Sequence, residues 1–193
     1  YSDNSFSQAL NIVFAHNPRH LMDVGGNTGR FALRCVAHSA DVNVTIVDLP
    51  GQIGMMKKNI EGKEGAERIA GYPTDLLDKA NELPKGEWDV IWMSQFLDCF
   101  SEPQIVAILQ KAAAVMNPNT RLFIMETFWD RQQYETTALC LTMTSVYFTA
   151  MANGNSKMYH SEDMTRLIAQ AGLKVVTTHD GIGRGHSILE VSL

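Results

Sequence analysis

Apolar residues follow two alternating patterns along this chain. Short runs rich in β-branched residues predict buried strands, and apolar residues three and four positions apart predict amphipathic helices. The first pattern predicts strands at residues 20–24, 42–48, 68–72, 89–94, 121–126, 174–179 and 187–193. The second pattern predicts helices at residues 6–15, 30–40, 51–61, 103–116 and 161–171. Strands and helices therefore alternate over most of the chain.

This alternation predicts the layout of the sheet. Strands joined by helices pair in parallel through right-handed crossovers, which places helices on both faces of the sheet. Only a glycine-rich turn at residues 180–185 separates the last two strands, and such a short connection makes them antiparallel. The sequence therefore predicts an α/β fold with a doubly wound, mostly parallel seven-stranded sheet that ends in an antiparallel hairpin. Residues 1–193 are enough for one buried core, so we expect one domain.

The composition narrows the classes of partner. Hydrophobic residues make up 45% of the chain and charged residues 19%, which is typical of a soluble globular protein. The net charge of −5 supplies no basic surface for phosphates, which argues against nucleic acid and favours a small, weakly charged substrate. No apolar stretch approaches the roughly 20 residues that cross a bilayer, so no membrane partner is expected.

The cysteines indicate the compartment. Cys35, Cys99 and Cys140 are an odd number without paired spacing. Each lies in an apolar or helical context that is typical of reduced, buried thiols. Cysteine usage therefore predicts a cytoplasmic protein.

A glycine-rich turn connects the first predicted strand to the following helix, in the run Asp-Val-Gly-Gly-Asn-Thr-Gly at residues 23–29. Free backbone N–H groups converge at such a helix start, so a ligand can approach the main chain there. Asp48 ends the second strand 19 residues after Gly29, which is the usual spacing between a glycine loop and a carboxylate that binds ribose hydroxyls. Together these features predict a nucleoside site, and the alternative is a tight turn without a ligand.

The type of nucleoside follows from the glycine spacing. A dinucleotide loop has glycine at its first, third and sixth positions, and from Gly25 these positions hold Asn27 and Arg30 instead. Asp23, just before the loop, would repel a phosphate but attract the sulfonium and amino groups of S-adenosylmethionine. The loop therefore favours S-adenosylmethionine over NAD, and a nicotinamide oxidoreductase remains the weaker reading.

The loop, together with Val-Asp-Leu-Pro at residues 47–50, resembles the class I S-adenosylmethionine-dependent O-methyltransferases of the caffeate and hydroxyindole type. The resemblance extends over nearly the whole chain. It implies a Rossmann-like fold, S-adenosylmethionine as the cofactor with no metal, and a small-molecule acceptor. It also implies a homodimer formed through an N-terminal helical domain that closes part of the acceptor pocket and that this chain lacks.

The same resemblance implies the cofactor residues. The segment 72–77 is similar to the family's Gly-Asp-Met-Phe segment, which implies Asp75 for the adenine amine and Leu76 for the adenine face. Asn27 replaces the family's usual glycine, and asparagine tolerates left-handed backbone angles. Ser94 replaces a lysine that often contacts the cofactor. The full set implied is Asp23, Gly25, Gly26, Asn27, Gly29, Asp48, Leu49, Asp75, Leu76, Ser94 and Gln95.

The acceptor site is expected after the fourth and fifth strands, because chemistry in open α/β sheets gathers at the carboxyl ends of strands. Aromatic and methionine side chains in these segments could form a dry slot for a flat acceptor, or they could be core residues. The substrate-binding candidates are Phe96, Phe100, Trp129, Met143 and Asn153. Met125, Phe128, Phe148, Met151 and Met158 could extend the slot.

The catalytic residues depart from the family pattern. Members that deprotonate a phenol use a histidine oriented by two glutamates, and here Asp98 and Met158 fall on the histidine and the second glutamate. Glu126 matches the first glutamate, so Asp98 and Glu126 are the catalytic candidates. Three readings stay open: Asp98 is the general base, positioning of an acidic acceptor suffices, or the base is another residue such as His160 or His186.

The predicted function is methyl transfer from S-adenosylmethionine to a hydroxyl oxygen of a small aromatic molecule. The alternative is a protein of methyltransferase fold that binds the cofactor without transferring methyl and acts as a scaffold or regulator. The missing histidine is the main argument for that alternative.

Overall fold

The computed structural model describes residues 2–151 and 154–193. Its seven strands are β1 (His20–Val24), β2 (Asn43–Asp48), β3 (Ile69–Pro73), β4 (Val90–Ser94), β5 (Arg121–Glu126), β6 (Lys174–Ile182) and β7 (His186–Ser192). Its α-helices are α1 (Phe6–Val13), α2 (Arg30–His38), α3 (Pro50–Ile60), α4 (Glu102–Ala113), α5 (Glu135–Met151) and α6 (Ser161–Gln170). All seven predicted strands and five predicted helices are confirmed, with small differences at their ends.

The strands form one sheet in the order β3-β2-β1-β4-β5-β7-β6. Strands β1 to β5 pair in parallel, whereas β7 runs antiparallel to both β5 and β6. The predicted doubly wound sheet with an antiparallel C-terminal hairpin is therefore confirmed. In the register of the sheet, Asp23 on β1 lies beside Trp92 on β4, and Glu126 on β5 lies beside Ser187 on β7.

Two hydrophobic clusters, one on each face of the sheet, form the core. Helices α4 and α6 cover one face, and α1, α2 and α3 cover the other. Successive residues of a strand point to opposite faces, so Met22 belongs to the first cluster and its neighbour Leu21 to the second. Both faces of β1 are therefore buried, which explains its nearly continuous apolar sequence.

The loops that follow β1 to β5 all leave from the same edge of the sheet, because these strands are parallel. This edge carries the glycine loop at residues 25–29, Asp48, the turn at residues 74–78, a 3₁₀ turn at Leu97–Cys99, and Glu126. The predicted site residues of the first five strands are thus gathered at one end of the molecule.

Helix α5 is a 17-residue element that the sequence analysis did not predict. None of its described side chains is buried, and Leu139, Met143 and Tyr147 are each about 60% exposed. Its apolar residues are distributed around the helix and not along one stripe, so no helical periodicity marks the segment. The sequence analysis therefore assigned no element to residues 135–151.

The cysteines only partly follow the expectation from the sequence. Cys35 is buried, whereas Cys99 and Cys140 are exposed, so the predicted burial was wrong for two of the three.

None of the helices in the described part of the chain combines the length and apolar character needed to cross a membrane. Across residues 2–151 and 154–193, no three His, Cys, Asp and Glu side chains come together in a group that could hold a metal ion.

Candidate functional site

The glycine loop after β1 makes a close turn over the end of the sheet. Gly25 has a φ of +76°, and its N–H donates to the Val47 carbonyl at 2.8 Å. A Cβ at Gly25 would overlap the Phe96 ring, and a Cβ at Gly26 would lie 2.6 Å from Asp23 Oδ2. Asn27 has a φ of +50°, which is the left-handed conformation that asparagine tolerates. The loop therefore needs small residues at positions 25 and 26.

Asp48 holds this loop at the end of β2. Its Oδ2 accepts the Asn27 N–H at 2.9 Å, and its Oδ1 accepts the Leu49 N–H at 2.8 Å. Each carboxylate oxygen has a second lone pair, so both can accept a further hydrogen bond. The carboxylate is thus fixed in orientation and can still bind a pair of hydroxyl groups.

A cavity of about 310 Å³ opens beside the glycine loop. Six predicted cofactor residues line it: Asp23, Gly25, Gly26, Asn27, Ser94 and Gln95. Five other lining residues were not predicted: Phe6, Thr28, Arg30, Phe31 and Trp92. They escaped notice because Phe6 and Trp92 read as core residues, and Thr28, Arg30 and Phe31 as the start of a helix. We call this space the loop cavity.

Two buried polar atoms belong to residues of the loop cavity. Asp23 is 2% exposed and Trp92 is 0% exposed, and among the described residues neither Asp23 Oδ2 nor Trp92 Nε1 has a hydrogen-bond partner. A buried polar atom without a partner destabilises a protein by about 1–3 kcal/mol. One acceptor and one donor at the same cavity indicate a polar occupant that supplies both.

The Asp23 carboxyl has an unusual pKa. Burial, reinforced by the negative charge of Asp48, raises the pKa of Asp23 from 3.8 to about 7. A positive charge in the loop cavity would favour the ionised form and lower this pKa. The site is therefore suited to a cationic group.

A second, smaller cavity of about 120 Å³ lies beyond Asp48. Four predicted cofactor residues line it, namely Asp48, Leu49, Asp75 and Leu76. The remaining walls are mostly apolar and come from Val47, Thr74, Leu77, Phe96 and Phe100. An apolar slot with carboxylates at its rim suits a flat, amino-bearing ring such as adenine. We call it the ring cavity.

The turn that carries Asp75 is held by local hydrogen bonds. Asp75 Oδ1 accepts the Leu77 N–H at 2.9 Å. Lys111 on α4 donates from Nζ to the carbonyls of Leu76 at 2.8 Å and Asp78 at 2.6 Å. A lysine on the neighbouring helix thus fixes a turn that the sequence identifies only by its acid.

The two cavities adjoin, because Asn27 in the loop cavity is hydrogen-bonded to Asp48 in the ring cavity. Together they offer a slot for a ring, a carboxylate for ribose hydroxyls, and a polar pocket for a charged end. These residues fit S-adenosylmethionine, which carries all three groups. Gly29, the remaining glycine of the predicted cofactor set, lines neither cavity. It precedes α2 with a φ of +75° and packs against Met56 of α3.

The catalytic candidates Asp98 and Glu126 are brought together. Glu126 is buried at the end of β5, and its Oε1 accepts the N–H groups of Phe96 at 3.1 Å and Leu97 at 3.0 Å. Its Oε2 is buried without a partner. Burial, together with the negative charge of Asp98, raises the pKa of Glu126 well above its usual value, and burial likewise raises the pKa of Asp98. The two carboxyls therefore repel each other when both are ionised.

The substrate-binding candidates do not come together. Phe96 and Phe100 line the ring cavity beside the expected adenine site. Trp129 is 37% exposed and packs edge-on against His160, and Met143 on α5 is 59% exposed. Asn153 lies outside the described residues.

The expected apolar slot for an acceptor is not what the structure shows. Met125 and Phe128 are fully buried core residues, whereas Met151 is largely exposed. Residues near each other in the sequence after β5 turn partly into the core, which was the alternative left open, and partly onto exposed α5. Any enclosed acceptor pocket that uses α5 needs a further covering element.

Met158 and the two histidines named as alternative bases have identifiable structural contacts. Met158, at the position of the family's second glutamate, places its sulfur 3.0 Å from the Thr127 hydroxyl, next to Glu126. His160 caps α6 by accepting the Glu162 N–H on Nδ1 at 3.1 Å. His186 is buried, and its Nδ1 lies 3.0 Å from the Ser5 hydroxyl. The two histidines are therefore held in structural roles.

Comparison with known proteins gives the family and several relatives. The O-methyltransferase domain model matches residues 6–174. O-methyltransferase SfmM3 of Streptomyces lavendulae is 23% identical over 172 residues, covering 88% of this chain and 50% of that protein. Bacteriochlorophyllide d C-20 methyltransferase of Chlorobaculum tepidum is 26% identical over 112 residues, covering 58% and 32%. Tabersonine 16-O-methyltransferase of Catharanthus roseus is 24% identical over 174 residues, covering 89% and 45%.

Solved structures share the fold. Mitomycin 7-O-methyltransferase MmcR superposes with a TM-score of 0.82 at 18% identity, covering 97% of this chain and 53% of that one. PigF with SAH superposes with a TM-score of 0.85 at 15% identity, covering 100% and 56%. The chain spans half or less of the length of the curated relatives described above. Because the family model covers residues 6–174, in which both cavities and the two buried carboxyls lie, the chain belongs to the O-methyltransferase domain family.

Proposed function

We propose that the protein transfers a methyl group from S-adenosylmethionine to a hydroxyl oxygen of a small aromatic molecule. The observation that carries this proposal is the pair of adjoining cavities at the strand ends, one with a buried unpartnered carboxylate and the other with apolar walls and a carboxylate rim. The family match and relatives described as O-methyltransferases support the same reaction.

The chain's own residues divide the cofactor between them. Asp48 would bind the ribose hydroxyls, Asp75 the adenine amine and Leu76 the adenine face. Asp23 would bind the amino group at the other end of the molecule. When bound, S-adenosylmethionine supplies an electrophilic methyl group on a sulfonium. The gathering of carboxylates at this edge attracts that positive charge.

Asp98 is the proposed base. It would accept the acceptor's hydroxyl proton as the oxygen bonds to the methyl carbon and the carbon–sulfur bond breaks. Burial raises the pKa of Asp98 and so makes it a stronger base than an exposed aspartate. Glu126 acts by position, since its Oε1 holds the turn at Phe96 and Leu97 that carries Asp98.

The experiment supplies isotope-labelled S-adenosylmethionine with a panel of catechols, resorcinols and hydroxybenzoates to the wild type and to Asp98→Asn. If Asp98 is the base, the variant loses at least about 100-fold in kcat and keeps its affinity for S-adenosylhomocysteine. Glu162→Gln, an exposed acid on α6, is the matched control and should keep wild-type turnover.

Other outcomes separate the alternatives. Near-normal turnover by Asp98→Asn would contradict the role of Asp98 as the general base. It would instead support catalysis by positioning of an acidic acceptor. Tight binding of S-adenosylhomocysteine without labelled product on any acceptor would support a scaffold or regulator, the second candidate, which is favoured by the aspartate at the position of the family's histidine.

We further propose that the intact protein is a homodimer and that a segment outside this chain covers part of the acceptor pocket. The exposed apolar side chains of α5 and the greater length of the relatives support this. One domain over residues 1–193 and a cytoplasmic location stay predictions from length and cysteine usage.

A further inference from the structure

The loop cavity contains polar groups that the family pattern does not assign. Trp92 and Arg30 line it together with Asp23, and the register of the sheet places Trp92 directly beside Asp23. Trp92 Nε1 is a buried donor without a hydrogen-bond partner, whereas Asp23 Oδ2 is a buried acceptor without one. Two residues on neighbouring strands therefore line the cavity, one with a buried acceptor and the other with a buried donor.

Aromatic packing fixes the donor in place. The Trp92 ring stacks on Phe31 with centroids 4.6 Å apart and an interplanar angle of 19°, and Phe31 meets Phe6 edge-on at 5.2 Å. These three aromatic rings belong to β4, α2 and α1, and all of them line the cavity. The indole N–H is therefore held in one orientation before any ligand arrives.

Positive charge lies on the same side. Arg30 is the first residue of α2, and the free backbone N–H groups of a helix start attract anions. A phosphate would meet the Asp23 carboxylate in this cavity, which disfavours it. An α-amino acid end group avoids this conflict, because it carries an ammonium for the acceptor and a carboxylate for the donors.

We propose that Trp92 Nε1 and Arg30 bind the α-carboxylate of the cofactor's amino acid end, opposite the ammonium site at Asp23. This inference rests on the proposed function. It names two binding residues in addition to Ser94, which lines the same cavity. The buried indole supplies a neutral donor, and the exposed guanidinium supplies a charged donor.

The test is calorimetric titration of the 193-residue chain with S-adenosylhomocysteine and with its decarboxylated analogue, which keeps the amino group. Trp92→Phe removes the N–H and keeps an aromatic ring, and Arg30→Ala removes the cation from an exposed position. Each should weaken S-adenosylhomocysteine at least about tenfold and leave the decarboxylated analogue within about twofold of wild type. Arg34→Ala, exposed one turn along α2, is the matched control.

The outcomes distinguish this inference from the proposed function. If both variants lose affinity equally for the two ligands, or lose no affinity for S-adenosylhomocysteine, the carboxylate role alone is overturned. Equal affinity of the wild type for the two ligands would do the same. If the wild type binds neither ligand, the proposed function fails as well. Arg30→Ala keeps the test decisive if Trp92→Phe unfolds.

Discussion

Carboxylates lie at the ends of three parallel strands, namely those of Asp48, Asp23 and Glu126. These carboxylates differ in the hydrogen bonds that their oxygens accept. Both oxygens of Asp48 accept backbone N–H groups, whereas Oε1 of Glu126 accepts two and its Oε2 none, and Oδ2 of Asp23 has no partner. Hydrogen bonding favours the charged form of a carboxylate and burial opposes it. Their different surroundings therefore suit three carboxylates to three different tasks.

Asp48→Ala should lower the affinity for S-adenosylhomocysteine by at least about 100-fold, because two hydrogen bonds to a charged group are lost. Calorimetric titration measures the change. Asp41→Ala, an exposed acid at the other end of β2, should leave the affinity unchanged. Micromolar affinity retained in Asp48→Ala would remove the ribose role.

Asp23 should make cofactor binding dependent on pH. The pKa of Asp23 is raised to about 7, and the ligand's ammonium binds the ionised carboxylate. The affinity for S-adenosylhomocysteine should therefore rise about tenfold from pH 6 to pH 8 and level off above that. Asp48 and Arg30 are the other charged groups close to Asp23.

Asp23→Asn should abolish this rise, whereas Asp98→Asn should retain it. A rise that persists in Asp23→Asn would assign the titration to another group. The same raised pKa acts in the opposite direction on the free protein. Its folded state loses stability as the pH rises from near 3.8 through about 7, since the unfolded chain ionises Asp23 more readily.

At the scale of elements, helices on both faces support the loops that form the site. Lys111 on α4 reaches the turn at residues 75–78, and Asn59 on α3 donates to the Thr28 carbonyl at 2.7 Å. Each loop is therefore fixed by a helix distant in sequence. Such supports cannot be recognised from the loop sequences alone.

Lys111→Met keeps most of the aliphatic stem and removes the two hydrogen bonds to carbonyl groups. We expect a loss of about 1–2 kcal/mol in the free energy of unfolding, reduced by the partial exposure of the site. Affinity for S-adenosylhomocysteine should fall a few-fold, because the turn that carries Asp75 must then be ordered on binding. Urea denaturation and calorimetry measure the two effects.

Lys58→Met, which removes an exposed lysine from α3, is the control for charge. Loss of stability in Lys111→Met with fully retained affinity would show that the turn keeps its shape without the lysine. In that case Lys111 would not support the ring cavity.

At the scale of the whole molecule, α5 is distinguished by having no buried side chain among its described residues. Its exposed apolar residues include Leu139, Met143, Val146, Tyr147 and Met151. A large set of exposed apolar side chains on one element marks an interaction site in soluble proteins. In the intact protein, the proposed covering segment or second subunit would bury it.

The 193-residue chain should therefore self-associate through α5. Sedimentation velocity over an about 100-fold range of concentration should show a rising sedimentation coefficient for the wild type and a constant one for Leu139→Glu with Met143→Glu. Both side chains are exposed, so the helix should stay folded. Lys57→Glu with Lys58→Glu on α3 is the charge control, and a wild type that is monomeric throughout would contradict the prediction.

The sequence determined the sheet and its order of elements, because buried parallel strands need unbroken β-branched runs and glycine turns. It also identified the loop with Asp23 and the acid Asp48, since these follow from local spacing. Helix α5 was missed because its apolar residues lack a helical period.

Tertiary structure alone decided which distant residues meet. Trp92 and Phe6 read as core in sequence, and only the packing of β4, α2 and α1 brings them to the loop cavity beside Asp23. Phe96 and Phe100 were predicted for the acceptor site, but they line the ring cavity. The reason is that the turn after β4 folds back over Gly25. Local chain preferences follow from neighbouring residues, whereas the walls of a site depend on the packing of elements that are far apart in the chain.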